Sequence, residues 1–221
     1  MSLSQRDKNI INDIRKFRVM DTNSVAELHF HNCKNPSASA CNVLLRLMRL
    51  GHIKRLRGYS PYLYMLNESK MKQDSNKIPH FLELLNVYKE IRSIEEPRIF
   101  QVEPRYEHVR PDIFSIFLKT PFYIEVQRSI YSDEEMTKKL NRYEQLFESG
   151  IIADETWQPK GKAPVFPYIL IITDSRYNIR NDYPFKVFQA GSITEFMNIV
   201  KPQPEYKPVV KSENGTIKIK V

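Results

Sequence analysis

Glycine is scarce in this chain, with six residues in 221, and none of them form the glycine-rich run that cradles a nucleotide phosphate. A P-loop nucleotide enzyme is thereby excluded. Cys33 and Cys41, the two cysteines, are too few for a disulfide framework. No apolar run approaches the ~20 residues of a membrane span, and the first residues lack the apolar stretch of a signal peptide. The expectation is a cytoplasmic protein with no membrane partner. No Ser-His-Asp or Cys-His grouping suggests a nucleophile. His29, His31, Cys33 and Cys41 bear zinc-type ligand atoms, but their spacing matches no common finger, and Cys41 falls inside a helical pattern. Internal repeats and low-complexity blocks are absent as well.

Positive charge is abundant and unevenly distributed. The chain carries +8, of which residues 1–70, with twelve Lys/Arg against five Asp/Glu, account for +7. Residues 201–221 add +3, and the stretch between is mildly acidic at −2. A phosphate-contacting surface needs such a concentration of cations, so the charge points to double-stranded DNA as partner, met by the first third of the chain.

That first third reads as three helices and a hairpin. Ser4 with Asp7 starts a helix carrying Ile10, Ile11, Ile14 and Phe17. Thr22 or Asn23 is the expected cap of a second, through Val25 and Leu28. Asn35-Pro36-Ser37 opens a third, with Ala40, Val43, Leu44, Leu47 and Leu50 inward and Gly51 as its stop. Residues 53–57 and 62–66 then pair around Gly58-Tyr-Ser-Pro61. This is the layout of a winged helix-turn-helix, whose third helix docks in the major groove. The outward face of that helix would offer Ser39, Asn42, Arg46 and Arg49, and the wing Lys54, Arg55 and Arg57. Tyr59, Tyr62 and Tyr64 stack on bases or, as is commoner on a hairpin, pack against the neighbouring helix.

Residues 110–127 carry the chemistry. They read as two strands joined by a tight Lys-Thr-Pro turn, the first opening at Pro111-Asp112 and the second closing at Glu125-Val126-Gln127. Strand side chains alternate, so Tyr123, Glu125 and Gln127 share a face while Ile124 and Val126 point into the core. A carboxylate on an apolar strand is costly to bury without a partner. Two on adjacent strands suit Mg²⁺ or Mn²⁺, which take oxygen ligands and few protein carboxylates. The simpler alternative for Glu125 is an ion pair with Arg128 or Lys119. Around this hairpin, residues 78–91 have helical spacing closed by Pro97, and residues 98–102 suit a strand. Ser132 with Glu135 caps a helix to Phe147 whose apolar stripe is Met136, Leu140, Tyr143 and Phe147. Residues 167–173 read as a strand buried on both faces, and 192–200 as a last helix.

With Pro111-Asp112 and Glu125-Val126-Gln127 so placed, the region resembles the PD-(D/E)xK nuclease superfamily, whose core runs helix, three strands, helix, strand. Gln127 stands where the lysine is expected, and some restriction enzymes of that superfamily also carry glutamine there. The resemblance implies that Asp112 and Glu125, with the Val126 carbonyl, hold one or two Mg²⁺ or Mn²⁺ ions. Glu103 is the candidate third acid, with Glu83 and Glu90 as alternatives. Gln127 would orient the attacking water, and Lys139 or Arg142 would supply the missing charge, unless that helix face is simply solvated.

Leu47 to Leu66, His80 with Asn86, Glu103, Arg110-Pro111-Asp112, Glu125 and Lys139 to Tyr143 together resemble the replication-relaxation family of plasmids and mobile elements. That family implies roles in plasmid replication, DNA relaxation or mobilisation. The expected fold class is therefore α+β: a winged helix over 1–66, a linker over 67–77, a restriction-endonuclease-like αβββαβ domain over 78–200, and a basic β-hairpin tail over 201–221. Three functions fit: a metal-dependent endonuclease of a plasmid, phage or other mobile element, an inactive replication or mobilisation factor of the same fold, and a transcriptional regulator. A homodimer or replication and mobilisation proteins are the expected protein partners.

Overall fold

The computed structural model describes residues 2–200, 212–213 and 216–217. It is an α+β chain with six helices and two main sheets among the described residues.

Helix α1 (Gln5–Phe17) begins at the Ser4–Asp7 capping box, in which each side chain accepts from the other residue's backbone N–H. It buries Ile10, Ile11, Ile14 and Phe17. Strand β1 (Met20–Asp21) leads into α2 (Thr22–Phe30), whose cap is Asp21 rather than Thr22 or Asn23. The Asp21 carboxylate accepts from the Ser24 N–H, and Thr22 already lies inside the first turn. Asn35 caps α3 (Pro36–Arg49), with Pro36 in the first turn, where an N–H has no helical partner. Gly51, at φ 76°, follows its end. Ala40, Leu44 and Leu47 point inward, whereas Val43 is half-buried and Leu50, the C-cap, remains 43% exposed. Strands β2 (Ile53–Arg55) and β3 (Leu63–Leu66) pair antiparallel with Ile53 opposite Leu66, and β1 joins the other edge of β3.

After the segment 67–77, which holds no helix or strand, α4 (Ile78–Ile94) leads into a five-stranded sheet. Its strands are β4 (Ile99–Val102), β5 (Ile113–Phe117), β6 (Thr120–Val126), β7 (Tyr168–Ile172) and β8 (Val187–Ala190), adjacent in that order. The first three are antiparallel and the last two run parallel to β6. Helix α5 (Asp133–Glu148), started by the Ser132–Glu135 capping box, crosses between β6 and β7. Helix α6 (Ile193–Val200) follows β8. Strand β8 is an addition to the sequence expectation: four residues without polar–apolar alternation give little signal. In the tail, β9 (Ser212–Glu213) pairs antiparallel with β10 (Thr216–Ile217). The remainder of the expected tail hairpin lies outside the described residues.

The turn between β5 and β6 differs from the expected Lys-Thr-Pro. Leu118 and Lys119 form it, both at positive φ (49° and 62°), while Thr120 and Pro121 already belong to β6. Two positive φ values in a two-residue loop match the twist of the strands, as in a type I′ turn.

Both faces of the large sheet are covered. Phe81, Leu84, Val87 and Ile91 of α4, with Ile193 and Phe196 of α6, pack against Ile113, Ile124 and Val126. On the other face Met136, Leu140, Tyr143 and Leu146 of α5 meet Phe114, Tyr123 and Ile171. Leu146 takes the inward position expected of Phe147, which turns out beside Phe166, ring centroids 5.3 Å apart. Leu85 and Tyr88, also of α4, are buried against the α1–α3 core. Val19, Leu56, Leu63 and Met65 in turn join the cluster beneath the large sheet.

Candidate functional site

Register positions the acids. Ile113 pairs with Ile124, so Asp112 and Glu125, one residue further along each strand, stand opposite one another. Alternation turns Glu125 to the α5 face with Tyr123. It is 2% exposed, flanked by apolar strand residues.

Four groups from three elements satisfy the two carboxylates. One Asp112 oxygen accepts the Val126 backbone N–H at 2.8 Å, and the other lies 3.2 Å from Nε2 of His80 in the first turn of α4. Glu125 accepts the Tyr143 hydroxyl on Oε1 and meets Lys139 Nζ at 2.7 Å on Oε2. Lys139 and Tyr143 are four residues apart on α5 and so share a face, which the capping box at Ser132 aims at the strand ends.

The electrostatics separate the two acids. Burial pushes the Asp112 carboxyl up, but the His80 hydrogen bond, the Lys139 charge and the Val126 N–H outweigh it and hold the group below its ordinary value. Glu125 is deeper, and burial lifts it to about 7 against the pull of Lys139, with the neighbouring Asp112 charge adding to the rise. For Lys139 burial acts downward, yet Glu125 and Asp112 together keep its ammonium above the usual lysine value. The hydrogen bond to Asp112 raises His80. Lys139 therefore stays charged at neutral pH, while Glu125 is poised to exchange its proton there.

The side chains of the other expected residues have partners of their own. The Glu103 carboxylate, at a residue with φ 50°, binds Arg110 at 2.7 Å, while its backbone N–H donates to the Asp112 carbonyl at 2.8 Å and its charge adds to the rise at His80. Glu83 lies 3.8 Å from Arg128, and Glu90 accepts the Thr194 N–H. The Gln127 amide donates to the Ser129 carbonyl at 2.7 Å. Among the described residues no three His, Cys, Asp or Glu side chains gather as a metal-holding group. Glu125 does form an ion pair, but with Lys139 rather than Arg128 or Lys119. From the sequence, Tyr143 has a place in an apolar stripe and, with His80, in the family resemblance, but neither has a role at the site. The Lys139/Tyr143 spacing beside that stripe was the available signal for the first.

On the N-terminal unit, Asn42, Arg49, Arg55 and Arg57 are exposed, and Ser39 is half-buried. The Arg55 guanidinium lies over the Tyr62 ring at 4.4 Å, and Lys54 Nζ donates to the Asn67 and Ser69 carbonyls. Tyr64 is turned into the core. Arg46 differs most from expectation: it reaches back to α1 and binds Asp7 at 2.6 Å. The Asp7 side chain is 1% exposed, so Arg46 neutralises a buried acid. His29 Nε2 lies 2.9 Å from Asp13. Among the described residues no helix is long and apolar enough to cross a membrane. No protein-family model, curated protein or solved structure matches this chain.

Proposed function

We propose that this chain is a DNA-binding protein with a nuclease-like domain, built as a winged helix followed by a restriction-endonuclease-like core, which cuts or nicks DNA of a plasmid, phage or other mobile element. The observation that carries the reading is the convergence of Asp112, Glu125 and Lys139 across two strands and the next helix. Lys139 supplies, from α5, the positive charge that Gln127 lacks. The order of α4, β4, β5, β6, α5 and β7 supports the architecture, and the exposed Asn42, Arg49, Arg55 and Arg57 support the DNA surface.

The donor set suits Mg²⁺ or Mn²⁺, because a hard cation takes one or two protein carboxylates and completes its shell with water and phosphate. Asp112 and Glu125 are the residues that would hold it. Such an ion, when bound, lowers the pKa of its water and neutralises charge on a phosphate. The protein's own groups prepare the place. Asp112, fixed by the Val126 N–H, stays ionised; Glu125, with a pKa lifted to about 7, gives up its proton readily near neutrality.

Incubation of supercoiled plasmid with Mg²⁺ or Mn²⁺ tests the reading, with Asp112→Ala and Glu125→Ala in parallel. Nicking or linearisation that disappears in both variants while DNA binding persists is the expected result. Binding without cutting in either metal overturns the nuclease part. It would favour a second reading, an inactive replication or mobilisation factor, or a regulator, on this fold. That reading has its own supporting observation: all four carboxylate oxygens already have protein partners.

A further inference from the structure

A groove of about 720 Å³ opens between the end of α1, the end of β3, the 67–77 segment and the first turn of α4. Its floor is apolar, from Ile14, Leu66, Met71 and Phe81. Five cations line it, Arg15, Arg18, Lys70, Lys72 and Lys77, against a single acid, Glu68. All five are exposed. Glu68 lies 3.8 Å from Arg15, and among the described residues the other four cations have no salt-bridge partner. So many like charges converging on one concavity repel one another, and a polyanion relieves that repulsion while releasing its own counterions.

The backbone at Arg18 points the same way. Arg18 sits at φ 66°, ψ −38°, the centre of a γ-turn closed by the Val19 N–H on the Phe17 carbonyl at 2.7 Å. The positive-φ form of this turn is rare and strained for a residue with a Cβ, and glycine would occupy it without strain. The residue in that conformation is an arginine that lines the groove.

We propose that this groove is a second nucleic-acid contact, which grips the phosphate backbone between the N-terminal unit and the carboxylate site. The inference rests on the DNA reading above and adds a path to it. Lys77 and Phe81 line the groove, while His80 of the same helical turn touches Asp112. A strand held on Arg18, Lys72 and Lys77 is thus led along α4 toward Asp112 and Glu125. None of these cations belongs to the third helix or the wing, so the contact is separable from groove reading.

Titration of the full chain with a labelled random-sequence duplex over a series of salt concentrations tests the proposal. It compares wild type, the triple variant Arg18→Gly/Lys72→Gln/Lys77→Gln, and Arg49→Gln/Arg55→Gln. Arg18→Gly removes the charge and relaxes the turn, so the triple variant keeps its fold, which a thermal melt verifies. The expected result is a salt slope shallower by about 3 and affinity at least ~10-fold weaker at low salt for the triple variant. Wild-type affinity and slope in the folded triple variant, with a weakened Arg49/Arg55 variant, overturn the groove alone. Absence of duplex binding by the wild type at low salt overturns the DNA reading and the groove together.

Discussion

Each half of this chain holds one almost inaccessible acid against one cation from a later helix, and the two arrangements differ in kind. Asp7 also caps α1, lies alone, and is met by an arginine whose side chain is 42% exposed. Glu125 faces a second carboxylate, is met by a lysine 21% exposed, and accepts a tyrosine hydroxyl as well. The first is an isolated clamp that ties α3 to α1. The second is a coupled set in which moving one proton or cation changes every neighbour. What separates the two is the crowding around Glu125 rather than its burial.

Substitutions can break this contrast. The largest difference is expected in cleavage. Lys139→Met should lower plasmid nicking by ~100-fold or more by removing fixed positive charge where phosphate charge develops, while Arg46→Met should leave the rate per folded molecule unchanged. Equal losses would erase the distinction.

A smaller effect concerns pH. An unfolded glutamate ionises near 4.5 and the folded Glu125 near 7, so between those values the folded state alone keeps the proton. Stability contributed by that proton is full at the acid end and is lost as the pH rises through the folded pKa. Glu125→Gln does not titrate, and it should remove up to ~3 kcal/mol of decline over that window. Urea melts of both proteins at pH 5 and pH 7 read it, taking about two points inside the window. Parallel behaviour would mean that Lys139 keeps Glu125 ionised throughout.

The smallest effect is structural. Arg46→Met strands Asp7 without its cation and should cost about 2 kcal/mol, less than a fully buried pair because Arg46 is half-exposed. A shift of the urea midpoint with an unchanged slope is the signature. No loss would place Arg46 with Arg49, the exposed cation of the same helix.

Legibility in the sequence followed the range of the interactions. Capping boxes at Ser4–Asp7 and Ser132–Glu135 act over three residues and were readable from composition and spacing. The pairing of Asp112 with Glu125 was readable because alternation carries it. The turn was misplaced because Leu118-Lys119 adopts positive φ without the glycine or asparagine that normally marks it. Arg46 has the helical phase of a surface residue, yet its long stem reaches an acid 39 positions upstream, which no local pattern encodes. Lys139 and His80 reach their carboxylates only once α4 and α5 have packed at the ends of β5 and β6.

Helix α4 has a consequence for the chain as a material object. Its Leu85 and Tyr88 complete one apolar core, and its Phe81, Leu84, Val87 and Ile91 complete another. A protease nick within 67–77 would sever the backbone but leave the fragments clasped by that shared axle. The halves would melt in a single step, so the exposed cations of the N-terminal unit and the Asp112/Glu125 pair keep a fixed alignment.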